Sequence, residues 1–101
     1  MTVKALTRNP KRRDALRRLM LEHFNGEYGA HSLGLARDPK FKDYTPVEIR
    51  LMLYSLDVTG MVINANGIGT SGAIYQTTRL GQEHLKLMDE QDKRRARKQM
   101  A

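Results

Sequence analysis

Two dipeptides, Asn9-Pro10 and Thr45-Pro46, each place a capping side chain directly before a proline. Proline at the first helical position has a suitable φ already, and the Asn or Thr side chain accepts a hydrogen bond from the first turn. Glu48 stands at the third helical position of the second segment, which completes a capping box. We therefore expect helices to begin at these two points, and the other elements must be arranged around them.

The spacing of apolar residues predicts where both helices end and indicates a shorter helix between them. The first helix has a core stripe and ends at Asn25-Gly26, where glycine tolerates a positive φ. The stripe consists of Ala15, Leu16, Leu19, Met20, His23 and Phe24. Residues 31–36 are expected to form a short second helix, with Leu33 and Leu35 partly buried, that Asp38-Pro39 breaks. The third helix runs to about Asp57, buries Ile49, Leu53 (or Met52) and Leu56, and stops at Gly60.

The segment after Gly60 predicts a β-hairpin and a closing helix. Residues 61–64 and 73–78 are rich in β-branched and aromatic side chains, and a glycine-rich connection joins them. Thr78 can cap a final helix that begins at Arg79 and keeps an apolar side to about Met88. The charged end beyond it either continues as a solvated helix or frays. The expected domains are a basic arm (1–9), a folded domain (10–88) and a charged extension (89–101).

Two stretches of this pattern resemble the winged-helix variant of the helix-turn-helix family. One, Ile49-x-x-x-Leu53-x-x-Leu56-x-x-x-Gly60-Met61-Val62, is similar to the family's third helix running into the first wing strand. The other, Tyr75-Gln76-Thr77-Thr78-Arg79-Leu80-Gly81-x-x-x-Leu85, is similar to the second wing strand and the start of a closing helix. The resemblance implies an α+β winged helix with a three-helix core, a two-stranded wing and a C-terminal helix. Bacterial and phage regulators share this pattern, with a leucine where this chain has Thr77.

Charge is concentrated at the two ends of the chain. The net charge is +7; residues 1–18 hold seven Lys and Arg against Asp14, and residues 89–101 hold five against three acids. Clustered positive charge attracts a polyanion because each neutralised phosphate releases counterions. The competing interpretation is a solvated, solubilising surface. The 101 residues contain no cysteine, which excludes disulfides and thiolate metal sites and fits a cytoplasmic protein.

The resemblance implies that the third helix enters the major groove of DNA. Arg50 is the best candidate for a base contact, although it could equally be a solvent-exposed residue of the outer face. Glu48 would repel phosphate unless it caps the helix or accepts a hydrogen bond from cytosine. The wing has no Lys or Arg, so the ends must supply phosphate contacts. The complete candidate set is Thr45, Val47, Glu48, Arg50, Leu51 and Tyr54 on the helix, Asn64, Asn66, Thr70 and Ser71 in the wing, Lys11, Arg12, Arg13, Arg17 and Arg18 on the first helix, and Lys93, Arg94, Arg95, Arg97 and Lys98 in the tail.

Other functions have weaker support in the sequence. Residues 67–72 spell G-x-G-x-x-G, but a strand rather than a helix is expected to follow, against a dinucleotide site. The histidines His23, His31 and His84 lack ligand spacing, and no nucleophile or carboxylate pair is recognisable. We therefore expect no enzyme activity, no cofactor, no metal and no membrane span.

The leading hypothesis is a sequence-specific transcriptional regulator that binds duplex DNA, with a homodimer through the helix from Arg79 as a further possibility. The uncharged wing and Glu48 keep a second hypothesis open, namely a winged-helix adaptor that binds another protein. A third is an RNA-associated basic protein, although the six aromatic residues do not suggest a stacking platform.

Overall fold

The computed structural model describes residues 9–27, 29–32, 34–65 and 74–100. Helix α1 spans Pro10–His23, and the Asn9 side chain accepts a hydrogen bond from the Arg12 N–H, as the sequence predicts. The helix ends with Phe24 as its C-cap. Gly26 does not adopt a positive φ, and the glycine that does so in the following turn is Gly29. The capping residue therefore predicted the start of α1 correctly, whereas the positive φ expected for Gly26 after its end is absent.

The segment between the first two α-helices differs from the expected short helix. A two-residue strand, β1 (Ala30–His31), is followed by two 3₁₀ turns, Leu35–Arg37 and Pro39–Phe41. The Asp38 side chain caps the second turn by accepting from the Lys40 N–H. Leu35 and Phe41 are buried, so these turns supply core side chains as a helix would. Leu33 lies outside the described residues.

Helix α2 spans Pro46–Val58 and begins with the predicted capping box. The Thr45 hydroxyl accepts from the Glu48 N–H (3.2 Å), and the Glu48 carboxylate accepts from the Thr45 N–H (3.0 Å). Gly60 follows the helix at φ +77°, a left-handed conformation that glycine adopts without strain. Ile49, Met52 and Leu56 are buried, while Leu53 is half-buried. The apolar spacing allowed either Leu53 or Met52 as the core residue at this turn, and Met52 is the more buried of the two.

Three antiparallel strands form the sheet, in the order β1-β3-β2. Strand β2 (Val62–Asn64) pairs with β3 (Ile74–Thr77) so that Val62 lies opposite Thr77. The pairing of β1 with β3 adds a third strand to the two that the sequence predicts. Gly29, at φ +68°, directly precedes β1, and a Cβ there would collide with the Tyr75 carbonyl group. The backbone of the β1 turn thus lies against β3 where only glycine fits.

Helix α3 (Arg79–Met100) is much longer than its apolar stripe and includes the charged end of the chain. Thr78 caps it, since its hydroxyl accepts from the Gly81 N–H. The helix runs antiparallel to α1. Near its N-terminus, Gln82 donates to Asn25, which lies beyond the end of α1 (3.1 Å). Further along, Asp92 accepts from Arg18, near the middle of α1 (2.6 Å). The C-terminal part of α3 therefore lies beside the first turns of α1.

One apolar core joins these elements into an α+β fold of three α-helices and a three-stranded antiparallel sheet in the described part of the chain. Phe24 and Phe41 are fully buried at its centre, where His23 lies edge-on to both rings. The other buried apolar residues are Leu16, Met20, Leu21, Leu35, Ile49, Met52, Leu56 and Val62. No described helix has the length and apolar character needed to cross a membrane.

Candidate nucleic-acid interface

The outer face of α2 is the first part of the predicted interface, and it is mainly apolar. Val47 and Leu51 are 39% and 40% exposed, and Tyr54 and Val58 are 69% and 66% exposed. Arg50 is the basic residue of this helix and is exposed beside them. The face is open, as a groove-reading helix requires, but it offers duplex DNA few hydrogen-bonding groups. Thr45 is occupied as the N-cap.

Glu48 does not belong to this outer face, contrary to the sequence-based candidate set. Its side chain is only 3% exposed and forms a bidentate ion pair with Arg12 of α1. Arg12 Nε lies 2.7 Å from Oε2 and Nη2 lies 2.8 Å from Oε1. The predicted capping role of Glu48 is confirmed, but its carboxylate is not available to a DNA base. Arg12 is likewise committed to holding α1 against the start of α2.

The surroundings of this ion pair favour the charged form of both partners. The hydrogen bonds from Arg12 lower the pKa of Glu48 from 4.5 to about 2, even though burial opposes the shift, and hydrogen bonds from Thr45 add to it. The hydrogen bond to Glu48 in turn raises the pKa of Arg12. The Arg12 guanidinium also donates to the Asp43 carbonyl and lies 4.7 Å from the Tyr44 ring centroid. Burial raises the pKa of the Tyr44 hydroxyl.

The depressed pKa of Glu48 predicts that acid weakens the fold. The unfolded chain binds this proton near pH 4.5 and the folded chain only near pH 2, so the stabilisation is complete above pH 4.5 and lost as the pH falls towards 2. We expect the free energy of unfolding to lose about 2 kcal/mol from this residue between pH 7 and pH 3. Urea titrations at both pH values measure the loss, and Glu48→Gln should remove that part of the pH dependence. An equal loss in the variant would contradict the prediction.

Two of the four other Lys and Arg residues of α1 are also ion-paired. Arg17 pairs with Asp14 at 2.8 Å, and Arg18 bridges Asp92 and Asp89 of α3 at 2.6 and 3.5 Å. The hydrogen bond to Asp92 raises the pKa of Arg18. Arg13 is half-buried, and its Nε has no hydrogen-bond partner among the described residues. Lys11 is the α1 cation of the predicted set that is exposed to solvent.

The predicted tail cations form the last turns of α3 and are all exposed. None of them has an ion-pair partner within the described ranges. Because α3 runs antiparallel to α1, Arg95 and Lys11 line the same groove. Arg12 in turn ties this end of α1 to the start of α2. We call this cluster the basic end of the molecule: Lys11, Lys93, Arg94, Arg95, Arg97 and Lys98.

The base of the predicted wing, at Asn64 and Tyr75, is the part that belongs to the described residues. Asn64 ends β2, opposite Tyr75. Asn66, Thr70, Ser71 and the G-x-G-x-x-G run at 67–72 lie outside the described residues. The glycine-rich stretch thus remains a sequence-based prediction.

His23 packs against aromatic rings of the core. Burial lowers the pKa of His23, with Lys40 adding to the shift, and its ring lies edge-on to Phe24 and Phe41. No group of three His, Cys, Asp or Glu side chains that could hold a metal ion occurs in the part of the chain that the structure describes. The described residues therefore provide an apolar helix face and a cationic cluster as candidate sites.

Comparisons with known proteins add no assignment: no family model, no curated protein and no solved structure matches the chain. The candidate site therefore rests on its own geometry. That geometry places Lys11 and Arg95 in one groove. Arg18 lines the same groove but is ion-paired, as are Arg12 and Arg17. The sequence analysis missed the ion pairs of Arg12 and Arg18 because their partners come from distant segments, on α2 and α3. The only local signal was the capping box, which placed Glu48 at the start of α2.

Proposed function

We propose that this protein binds double-stranded DNA and that its basic end contacts the phosphate backbone. The observation that carries the proposal is the convergence of unpaired cations on one end of the fold. Lys11 of α1 and Arg95 of α3 line one groove there, next to the turn at which Arg12 joins the start of α2. Asp14 and Asp92 also line this groove, but they are ion-paired with Arg17 and Arg18. Cations without an ion-pair partner release counterions when they contact a phosphate backbone.

The packing of the fold explains why these cations, and not others, are available. The acidic residues at the middle of α3, Asp89 and Asp92, are directed to Arg18, so they neutralise a cation of α1 rather than the tail. Beyond Asp92 the helix carries five cations and no acid. Helical order spaces them along about two turns, so several can follow a row of phosphates together.

The finer assignment is a winged-helix regulator of transcription, acting in the cytoplasm. The order of helix α2, strand β2 and strand β3, with β1 added at the far side of β3, is compatible with this arrangement. In such a protein α2 would meet the major groove. Arg50 and Tyr54 are the exposed residues of α2 best suited to base edges, and Val47 and Leu51 could meet only thymine methyl groups. We therefore expect phosphate contacts to contribute more affinity than base contacts.

A salt-dependent titration tests the proposal. The purified chain is titrated into a fluorescein-labelled mixed-sequence duplex, and anisotropy is read at several salt concentrations. If about five cations contact phosphate, affinity should fall roughly five-hundredfold between 50 and 200 mM salt. Unlabelled duplex RNA serves as competitor; equal competition by RNA would favour the RNA-associated protein instead. Absence of binding at 50 mM salt would contradict the proposal.

A protein-binding adaptor is the second candidate function, and the apolar outer face of α2 favours it. Tyr54 and Val58 are both about two-thirds exposed on a helix that otherwise buries its apolar residues. Exposed apolar patches often mark protein interfaces. Failure of the duplex titration, together with a folded chain, would leave this face as the main candidate site.

A further inference from the structure

The exposed apolar residues of α2 are spaced as in a coiled-coil seam. Val47, Leu51, Tyr54 and Val58 follow one another at intervals of four, three and four residues. These intervals place all four on one stripe of the helix, and each is at least 39% exposed. The opposite side of α2 carries Ile49, Met52 and Leu56 into the core. The helix therefore has two apolar sides, of which only one is covered by the described part of the chain.

One edge of this stripe carries a positive and a negative residue, Arg50 and Asp57. Both are exposed, and neither has an ion-pair partner among the described residues. They are seven residues apart, which corresponds to about 10 Å along the helix, so they lie on the same edge but cannot reach each other. Two charges of opposite sign at this spacing can be paired by a helix that presents the same two charges in reverse order.

We propose that the outer face of α2 binds a second copy of this chain, with the two α2 helices antiparallel. In this register Val47 packs beside Val58 of the second copy, and Leu51 packs beside its Tyr54. A twofold axis perpendicular to the helices keeps the charged edges on the same side. Arg50 then meets Asp57 of the second copy, and Asp57 meets its Arg50. Both the apolar layers and the charges are matched by one twofold operation.

Self-complementarity favours a second copy over an unrelated partner. A different protein would need its own apolar seam with the opposite order of charges, whereas this chain already contains both halves of the pattern. The pairing uses none of the basic-end residues, so it goes beyond DNA binding and does not depend on it. It also differs from a dimer through α3, where Leu80 and Leu87 are the exposed leucines. An α2 helix paired in this way cannot simultaneously lie in a DNA groove.

Cysteine cross-linking tests the register directly, because the natural chain contains no cysteine. In the antiparallel pair, positions 47 and 58 of different copies are adjacent, while each is about 16 Å from its own equivalent along the helix. Oxidised glutathione should therefore convert the double variant Val47→Cys/Val58→Cys to a covalent dimer. The two single variants, with the same exposed positions, should remain largely uncross-linked. Circular dichroism shows whether each variant is folded.

Charge reversal provides an independent measurement by sedimentation equilibrium of the full chain. Arg50→Asp should weaken self-association at least about tenfold, because it breaks two pairs and creates two repulsions. Adding Asp57→Arg should restore affinity to within about threefold of the natural chain. Lys86→Asp, on the exposed surface of α3, is the control and should leave self-association unchanged.

Three results would overturn the inference. These are a chain that stays monomeric at several hundred micromolar, single cysteine variants that cross-link as readily as the double variant, and a dimer that Leu87→Asp dissociates while Arg50→Asp does not. DNA affinity is not a readout here, so failure of this inference is distinguishable from failure of the proposed function.

Discussion

Replacing Arg12 by alanine should lower the free energy of unfolding by about 3 kcal/mol at pH 7, because it leaves a buried carboxylate without its partner. The Glu48 side chain is 3% exposed and cannot regain water without separating α1 from the start of α2. The substitution also removes the hydrogen bond to the Asp43 carbonyl and the contact with the Tyr44 ring. The effect should be seen as a lower urea midpoint with little change in slope.

The partner substitution is the matched control for this pair. Glu48→Gln should cost less, about 1–2 kcal/mol, because the guanidinium it leaves behind is one-third exposed and can be solvated. The double variant Arg12→Ala/Glu48→Gln should be more stable than the sum of the single losses predicts, since the two side chains are in contact. A loss below about 1 kcal/mol for Arg12→Ala would mean that water reaches Glu48, and would contradict the account of this pair.

Alanine in place of Gly81 should destabilise the fold by about 2 kcal/mol, although alanine normally favours a helix by about 1 kcal/mol over glycine. Gly81 lies in the first turn of α3, where a Cβ would collide with the Met61 carbonyl oxygen and the Thr77 Cγ2. The Met61 carbonyl is fixed, because it accepts from the Thr78 N–H at 2.9 Å. Thr77 is also fixed, since its hydroxyl donates to the Leu21 carbonyl at 2.6 Å.

Thermal unfolding followed by circular dichroism measures the effect at Gly81. Gln91→Ala, an exposed position further along α3, is the control and should change the midpoint by little. A Gly81→Ala variant more stable than the natural chain would show that α3 can move away from the turn after α2. That result would contradict the close approach of α3 to Met61 on which the position of the basic end depends.

The elements that the sequence predicted well are those set by local chemistry. The N-caps at Asn9 and Thr45, the capping box with Glu48 and the glycine stop at Gly60 are confirmed, because each depends on neighbouring residues alone. Strands β2 and β3 lie within one residue of each predicted limit. The general α+β class is confirmed as well, and its winged-helix form remains a proposal.

What the sequence could not predict depends on contacts between distant segments. Strand β1 has two residues, too few for a periodic pattern, and it exists because it pairs with β3. Two 3₁₀ turns, on either side of Asp38, are present instead of the short helix predicted for residues 31–36, and Asp38 caps the second turn. Local patterns could not reveal that Arg12 and Arg18 are ion-paired, because their partners are on α2 and α3.

The same limit applies to the candidate site. Sequence analysis treated the cations at the two ends as one group, whereas the fold divides them into those that hold helices together and those that face solvent. Arg18 belongs to the first class and Lys11 to the second. The apolar outer face of α2 was also hidden, because apolar residues on both sides of a helix do not indicate which side is covered.

The most direct test of DNA binding through the basic end compares two triple variants with the same net charge. Arg94→Gln/Arg95→Gln/Arg97→Gln removes cations of the basic end, and Lys40→Gln/Arg79→Gln/Lys86→Gln removes as many exposed cations elsewhere on the surface. The measurement is the slope of log affinity against log salt for the duplex. We predict that the slope of the first variant is smaller in magnitude than that of the natural chain by about 2.7, near 0.9 for each lost phosphate contact. The slope of the second variant should equal that of the natural chain. Equal slopes for the two variants would contradict the account.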